Sequence, residues 1–405
     1  MSTSPPAPTP ATASHRPARA TVERVRIGIA FGAIALMGVA AGATGVLLPE
    51  QMAEYGVDKA TVGLTFVAFS VGYFATATAN GVLLHRLGVR GHLALGTVAA
   101  LAAALTLTVP AGFALLLAGQ VVLGLGLGAL DAGLNSYLST LDRSTALLNF
   151  HHAFFGVGAL IGPLAAAALI DRGASWHVFF GLFAVAMAGQ LGALAVYPRS
   201  RRDAEEAEQR PRLGAALRLR VVLVLAAFLG VYVGVEVSVG NWAFSYLTED
   251  RRQALLAAGW AVSGYWAGLT LGRLTLNAAA ERVGLSVARL TALCIGGAGV
   301  ASLAVWLLPS TVAATACLVV LGFFLGPLFP TTIAVVPRLV RADLVHTAIG
   351  MLVATSVVGG ATLPLLAGVS AEHLGLWSLL PLAAAGAAGM GVLWWRIARR
   401  LRPVA

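Results

Sequence analysis

Long apolar runs recur from one end of this chain to the other, and they limit its fold more than any other feature of the sequence. A helix needs about 20 consecutive apolar residues to cross the roughly 30 Å of hydrocarbon in a bilayer. Many runs reach that length, and only 11% of the residues are charged, against about 25% in a soluble globular protein. The sequence therefore predicts an all-α integral membrane protein.

The runs divide into twelve predicted transmembrane helices, called spans and numbered in chain order. Their expected ranges are 25–49, 61–84, 91–109, 111–141, 145–170, 174–197, 219–247, 255–279, 284–308, 311–337, 344–370 and 375–396. One long polar interruption separates the first six from the last six. The predicted domains are a disordered cytoplasmic tail (1–24), a six-helix bundle (25–197), a cytoplasmic linker (198–218), a second six-helix bundle (219–397) and a cytoplasmic tail (398–405).

Basic residues are concentrated on one side of this arrangement. With both chain ends and the 198–220 segment in the cytoplasm, 22 of the 27 Lys and Arg residues lie in cytoplasmic segments. Four lie outside and a fifth lies within a span: Lys59, Arg172, Arg251 and Arg252, then Arg273. Cytoplasmic loops of membrane proteins carry such an excess. The net charge of +10 is therefore explained by topology, and no nucleic-acid partner is expected.

The two halves of the chain share an internal repeat. The stretch HRLG at 85–88 matches ERVG at 281–284, an offset of 196 residues, and Gly72 matches Gly268 at the same offset. Spans 4 and 10 repeat a pair of glycines at an offset of 198, namely Gly124 and Gly128, then Gly322 and Gly326. A nearly constant offset predicts two halves of similar structure.

The loop between spans 2 and 3 resembles the loop motif of the major facilitator superfamily, roughly G-x-x-x-D-R-x-G-R-[RK]. The chain reads GVLLHRLGVRG, in which His85 stands where the family usually has an acid. The matching positions are Gly81, Arg86, Gly88 and Arg90. In the second half, Glu281 and Arg282 occupy the corresponding loop. The resemblance implies that these residues take part in gating contacts between spans, and that Arg273 does so too, with Glu281 below it.

Within that superfamily the chain is similar to the fucose-permease-like sugar:proton symporters. Three stretches carry the similarity: GLGLGALDAGLN with Asp131 and Asn135, LNFHHAFFGVGALIGP with Asn149 and His152, and GVEVSVGNWAFSYL with Glu236, Asn241 and Trp242. The resemblance implies a multi-pass transporter in a bacterial-type cytoplasmic membrane, with both termini cytoplasmic. It also implies that a small polar solute, a sugar or polyol, moves together with protons and without a cofactor.

Charged residues inside the spans are the candidates for coupling. An acid at the bilayer centre costs about 2.5–3.5 kcal/mol on insertion scales, so such residues usually face a cavity. Asp131 is the expected proton carrier, and Asn135, four residues later, lies on the same helix face. Glu236 is expected to be a second proton site or an acceptor for a substrate hydroxyl.

The polar residues of spans 5 and 7 are candidates for solute binding. Asn149 and His152 share one helix face, and spans 4 and 5 are antiparallel neighbours, so both should face the Asp131 cavity. Adjacent residues on a helix point about 100° apart, so His151 is expected to face a neighbouring span or the lipid. Two-His metal sites on a helix use i, i+4 spacing, which His151 and His152 do not have. No metal site is predicted. Asn241 could bind hydroxyls and Trp242 could stack on a sugar, although a Trp near a membrane boundary is also an ordinary interfacial anchor.

Three functions are compatible with these patterns. The first is import of a sugar or polyol with protons by a monomeric transporter. The second is proton-antiport efflux of amphipathic compounds, because GALIGP at 158–163 resembles the antiporter signature G-x-x-x-G-P. The third is a membrane receptor or scaffold that does not transport. The sequence carries no catalytic triad or HExxH motif, and GLGLG at 124–128 lies inside a span, so no enzyme activity or nucleotide binding is expected.

Overall fold

The computed structural model describes residues 16–197 and 213–401. Within these ranges the chain is helical, with no β-strand. Most of the predicted cytoplasmic linker, the first fifteen residues of the predicted N-terminal tail and the last four residues of the chain lie outside the described residues.

Among the described residues, twelve spans are present. They are formed by Arg16–Tyr55, by Leu64–Thr106 (spans 2 and 3), and by Phe113–Leu138, Ser144–Asp171, His177–Ala193, Arg220–Ser245, Leu255–Arg282, Val287–Leu307, Thr311–Leu325 with Leu328–Leu339 (span 10), Val345–Leu374 and Leu379–Leu401. Shorter helical pieces lie at Lys59–Val62, Leu194–Val196, Leu213–Leu217, Tyr246–Asp250, Ala342–Leu344 and Leu376–Ser378.

Most predicted boundaries differ from the observed ones by a few residues, and two spans differ in a larger way. Span 1 begins at Arg16 rather than at 25, so the helix extends well beyond the length a bilayer requires. Span 10 is expected as one helix over 311–337 but is broken between Leu325 and Leu328. Pro327 lies in the break, where the missing N–H of proline removes a helical hydrogen bond.

Ten helices of the described chain are long and apolar enough to cross a membrane, and the one over Lys59–Thr106 contains two spans. Span 8, Leu255–Arg282, is not among the ten. Glycine, serine, threonine and aromatic residues replace leucine and valine along much of it. Span 8 packs between spans 5 and 10, so protein rather than lipid covers much of its surface.

The repeat seen in the sequence is also present in the backbone. Gly88, between spans 2 and 3, and Gly284, between spans 8 and 9, both have φ of 66°. This left-handed conformation suits glycine because it has no Cβ atom. The matching stretches HRLG and ERVG therefore form the same turn in each half.

Glycines allow close contact between helices within each half. A Cβ atom on Gly124 would lie 2.0 Å from the carbonyl oxygen of Phe69, where span 4 crosses span 2. A Cβ atom on Gly322 would lie 2.1 Å from the carbonyl oxygen of Tyr265, where span 10 crosses span 8. Small residues at such crossings let backbones approach closely, which favours helix association in membranes.

The helix bundle has two ends. The linker face is the end where span 6 finishes and span 7 begins, and the opposite face is the end that carries Lys59. At the opposite face the two halves are tied together by Lys59. Its ammonium lies 3.0 Å from a carboxylate oxygen of Glu249, and its backbone N–H donates to Glu372 at 3.0 Å. The halves are therefore closed at this face.

Replacing Lys59 by methionine is expected to open the opposite face more often, by up to about five-fold. The side chains of Lys59 and Glu249 are 21% and 39% exposed, and an exposed ion pair contributes about 0.2–1 kcal/mol. The measurement is the labelling rate of a cysteine introduced by Phe66→Cys, because Phe66 is buried against Trp242 of the second half.

Arg172→Met provides the control, because the Arg172 guanidinium donates to Ala168 of its own helix and makes no tie to the second half in the described contacts. The two native cysteines, Cys294 and Cys317, are replaced in the parent protein. Equal labelling rates in the Lys59 variant and the parent would show that this ion pair does not hold the face closed.

Candidate functional site

Asp131 lies half-buried on span 4 with both carboxyl oxygens hydrogen-bonded. The hydroxyl of Tyr73, on span 2, donates to Oδ2. The side-chain amide of Asn135 donates to Oδ1 at 2.8 Å and to the backbone oxygen of Asp131 at 2.9 Å. Asp131 and Asn135 thus lie on one face, as their spacing predicts. The sequence analysis did not identify Tyr73.

His152 lies beside this carboxylate and is exposed. It interacts electrostatically with Asp131 of its own half and with Arg273 of the other half. Spans 5 and 8 are in close contact at Gly156, because a Cβ atom added there would lie 2.2 Å from Oγ1 of Thr270 on span 8. Asn149 is also exposed and lies one turn nearer the linker face.

His151 faces span 1 rather than Asp131, although its ring lies 5.5 Å from that of His152. It is fully buried, and its ring lies 6.4 Å from that of Phe31 on span 1. Neither ring nitrogen has a hydrogen-bond partner among the described residues. The expectation that His151 faces a neighbouring span is confirmed.

The second half contributes an acid and a base. A carboxylate oxygen of Glu236 on span 7 lies 4.0 Å from the guanidinium of Arg273 on span 8. The Nε of Arg273 donates to the backbone oxygen of Gly326 at 3.3 Å. The hydroxyl of Tyr265 donates to the backbone oxygen of Glu236 at 2.9 Å. The hydroxyl of Tyr232 is buried beside the pair and interacts with both the Glu236 carboxylate and the Arg273 guanidinium.

The expected pairing of Arg273 with Glu281 is wrong, because Arg273 approaches Glu236 instead. Eight residues separate Arg273 from Glu281, which corresponds to about 12 Å along a helix. Glu281 and Arg282 are exposed at the linker face, as are Gly81, His85 and Arg86. Arg90 is half-exposed two residues after the turn at Gly88. The gating role of these loop residues stays a prediction.

Asn241 and Trp242 lie in the contact between the halves nearer the opposite face. Trp242 is 0% exposed, and its indole N–H donates to the backbone oxygen of Pro364 at 2.9 Å. The amide of Asn241 donates to the backbone oxygen of Val237 at 2.8 Å. A Cβ atom on Gly45 of span 1 would lie 2.3 Å from the backbone oxygen of Asn241. In this conformation neither residue borders the Asp131 cluster, and their role in solute binding stays a prediction.

The arrangement brings groups that can exchange protons and form hydrogen bonds together where the two halves meet. One acid comes from each half, and His152 and Arg273 lie between them. Within residues 16–197 and 213–401, no group of three or more His, Cys, Asp or Glu residues is placed to hold a metal ion.

Known proteins share the sequence pattern and the fold. The family model of the Major Facilitator Superfamily matches residues 30–252. Bypass of stop codon protein 6 of Saccharomyces cerevisiae is 26% identical over 372 residues, covering 82% of this chain and 74% of that protein. A glucose/galactose transporter of Brucella abortus biovar 1 is 26% identical over 357 residues, covering 82% of this chain and 84% of that protein.

Solved structures of transporters superimpose over nearly the whole chain. The nucleoside transporter NupG has a TM-score of 0.76 at 11% identity, covering 93% of this chain and all of that one. The transporter FucP in the outward conformation has a TM-score of 0.64 at 17% identity, with coverages of 92% and 98%. The predicted all-α membrane fold is confirmed, and so is the expectation that the chain is not an enzyme. The chain belongs to the Major Facilitator Superfamily of membrane transporters.

Proposed function

We propose that the chain moves a small polar solute, a sugar or polyol, across the cytoplasmic membrane together with protons by alternating access. Asp131 is the proton carrier. The observation that carries this proposal is the position of its carboxylate. It lies in span 4 about two turns from the linker-face end, beside His152, which also interacts electrostatically with Arg273 of the Arg273–Glu236 pair in the other half. A proton bound there acts on groups that join the two moving halves.

The fold itself gives no reason for an acid at this position. At the repeat offset of 198 residues, the second half carries Phe329 where the first half carries Asp131. Spans 8 and 10 pack as spans 2 and 4 do, with the same glycine contacts and an apolar residue in that place. An intramembrane acid costs about 2.5–3.5 kcal/mol. Because the second half has no acid at the matching position, the acid at position 131 favours a role in transport.

The proposed solute is neutral and carries hydroxyl groups. Asn149 and His152 are exposed beside Asp131 and offer both donors and acceptors. Arg273 is partly neutralised by Glu236, which makes the site less suited to an anion. The names of two similar proteins, a glucose/galactose transporter and a fucose:proton symporter, support the same class of solute.

The linker face is proposed to be cytoplasmic, as the distribution of Lys and Arg predicts, with both chain ends in the cytoplasm of a bacterial-type cell. Close contacts between the halves, such as Gly156 with Thr270 and Gly45 with Asn241, lie from the Asp131 cluster toward the opposite face. The site would therefore open to the cytoplasm in this conformation. The proposed transport unit is a monomer, because both halves of the site come from one chain.

Replacing Asp131 by asparagine is expected to abolish proton-coupled uptake, with a loss of at least about ten-fold, since the amide cannot exchange a proton. The protein is reconstituted in liposomes and presented with a panel of sugars and polyols. The measurement is alkalinisation of the medium caused by solute addition. Asp142→Asn, a substitution in the exposed loop between spans 4 and 5 at the linker face, removes an acid outside the cluster and serves as the control.

The same experiment separates the competing functions. Proton movement opposite to that of the solute, with amphipathic compounds as substrates, would support efflux by antiport instead. Solute binding without any transport would support a receptor. An Asp131→Asn variant that takes up solute with protons at the rate of the unmodified protein would refute the role of Asp131.

A further inference from the structure

We propose that Tyr73 is a positioning residue for the proton site, a role that rests on the proposed function of Asp131. Its hydroxyl donates to Oδ2 of the ionised carboxylate and turns to accept a hydrogen bond when that oxygen carries a proton.

Glycines of span 4 fix the position of the Tyr73 backbone. A Cβ atom on Gly124 would lie 2.9 Å from the Tyr73 nitrogen. A Cβ atom on Gly128 would lie 2.7 Å from the Tyr73 backbone oxygen and 2.9 Å from its Cα atom. The backbone of Tyr73 thus lies against span 4, close to the residues that precede Asp131. The hydroxyl can then reach the carboxylate without a change in helix packing.

The second half shows that this packing does not need the hydroxyl. At the repeat offset of 196 residues, Leu269 takes the place of Tyr73. Gly326 approaches it in the same way, since a Cβ atom there would lie 2.3 Å from the backbone oxygen of Leu269. Leucine therefore fits the helix crossing in one half, and tyrosine occupies the matching position in the other. The hydroxyl serves the carboxylate rather than the fold.

The two carboxyl oxygens of Asp131 have different partners. Oδ1 accepts from the amide of Asn135, a group that only donates, so a proton on Oδ1 would meet another hydrogen. Oδ2 accepts from the Tyr73 hydroxyl, which can both donate and accept. When the proton binds Oδ2, the Tyr73 hydrogen rotates away about its C–O bond and the hydroxyl oxygen accepts from Asp131. No covalent bond of Tyr73 breaks, and the incoming proton is the only one gained.

Other titratable groups face this carboxylate from the remaining spans. His152 of span 5 interacts with it electrostatically, and Arg273 of span 8 lies beyond His152. Neither donates a hydrogen bond to Asp131 among the described contacts. Tyr73 and Asn135 thus provide the hydrogen bonds, and of these two only Tyr73 can reverse its role.

Tyr73→Phe is expected to shift protonation of Asp131 by about one pH unit to the alkaline side. The ionised form loses a charge-assisted hydrogen bond, which is stronger than the one lost by the neutral form. The measurement is labelling by a hydrophobic carbodiimide, which reacts with protonated carboxyl groups, followed by mass spectrometry of the peptide that contains Asp131. At a pH above the midpoint, the variant should be labelled about ten-fold faster than the unmodified protein.

Matched variants decide the outcome. Tyr197→Phe removes one buried hydroxyl bond, to the backbone oxygen of Arg26 at 2.7 Å, at the linker-face end of the same half, and should leave the labelling profile unchanged. Asp131→Asn has no carboxyl group at this position and gives the background labelling of the peptide. Tyr73→Leu introduces the residue that the second half has at the matching position, Leu269, and should shift the labelling profile as Tyr73→Phe does. With two variants, poor folding of one does not decide the test.

The labelling experiment does not depend on transport. If the reconstituted protein shows no proton movement with any solute, the proposed function fails, while a labelling shift in Tyr73→Phe still supports the control of Asp131 by Tyr73. A labelling profile in both Tyr73 variants that superimposes on that of the unmodified protein overturns the inference.

Discussion

Replacing Gly158 by alanine is expected to destabilise the first half by about 3 kcal/mol or more, or to prevent folded protein from accumulating in the membrane. The new Cβ atom would lie 1.9 Å from the backbone oxygen of Ala35 and 2.8 Å from its carbonyl carbon. Both atoms belong to the backbone of span 1, so neither can move aside unless the helix moves. The measurement is thermal unfolding of the purified protein together with its yield in the membrane.

Gly32→Ala is the matched control, because it makes the same change on span 1 at a position where no atom lies within 4 Å of the new Cβ. Alanine favours helix more than glycine does, so this variant should be as stable as the parent or gain up to about 1 kcal/mol. Equal stability of the two variants would contradict a close contact of spans 1 and 5. It would also leave the GALIGP stretch free for the role in proton-antiport efflux that its likeness to the antiporter signature suggests.

The number and order of the spans could be predicted because each is decided locally. Length and apolar composition determine whether a helix crosses a bilayer, and polar turns divide one crossing from the next. The turn at Gly88 is an example, since a recognisable motif and its repeat at Gly284 share one backbone conformation. Span 10 shows the limit, because its apolar composition masks the break around Pro327.

Two residues of the candidate site, Asp131 and Asn135, could also be predicted from the sequence. Asp131 is unusual in an apolar run, and Asn135 follows from helical periodicity. Tyr73 gave no such signal, because tyrosine is common in spans and its contact depends on how Gly128 lets two helices cross. A closer reading of the repeat could have found it, since the residue after the repeated Gly72 differs between the halves.

Contacts between elements that are distant in sequence were the hardest to predict. The expected partner of Arg273 is Glu281, in the loop below its span, but Arg273 approaches Glu236 on span 7. Lys59 was identified as a loop charge, and its two acidic partners are 190 or more residues away in the chain. Such contacts depend on the register and crossing of helices from different halves, which hydropathy and spacing do not encode.

Neutralising either member of the Glu236–Arg273 pair is expected to cost about 3 kcal/mol of stability and to abolish solute accumulation. Glu236→Gln leaves the guanidinium without its acid, and Arg273→Gln leaves a carboxylate without its base, in a site where the side chains are only 13% and 26% exposed. The double variant Glu236→Gln/Arg273→Gln carries no unpaired charge and should recover to within about 1 kcal/mol of the parent. Thermal unfolding of the four proteins gives the coupling energy.

The exposed pair Arg341–Asp343 serves as the control, because its atoms are closer, at 3.2 Å, but its side chains are 81% and 36% exposed. Neutralising one of those residues should cost less than about 1 kcal/mol, since water screens exposed charges.

Transport by the double variant of the buried pair then separates structure from coupling. If the pair only holds spans 7 and 8 together, accumulation should return with stability. If it takes part in coupling to Asp131, exchange of solute should return while accumulation driven by protons stays lost. A double variant no more stable than either single one would mean that Glu236 and Arg273 do not act as a pair.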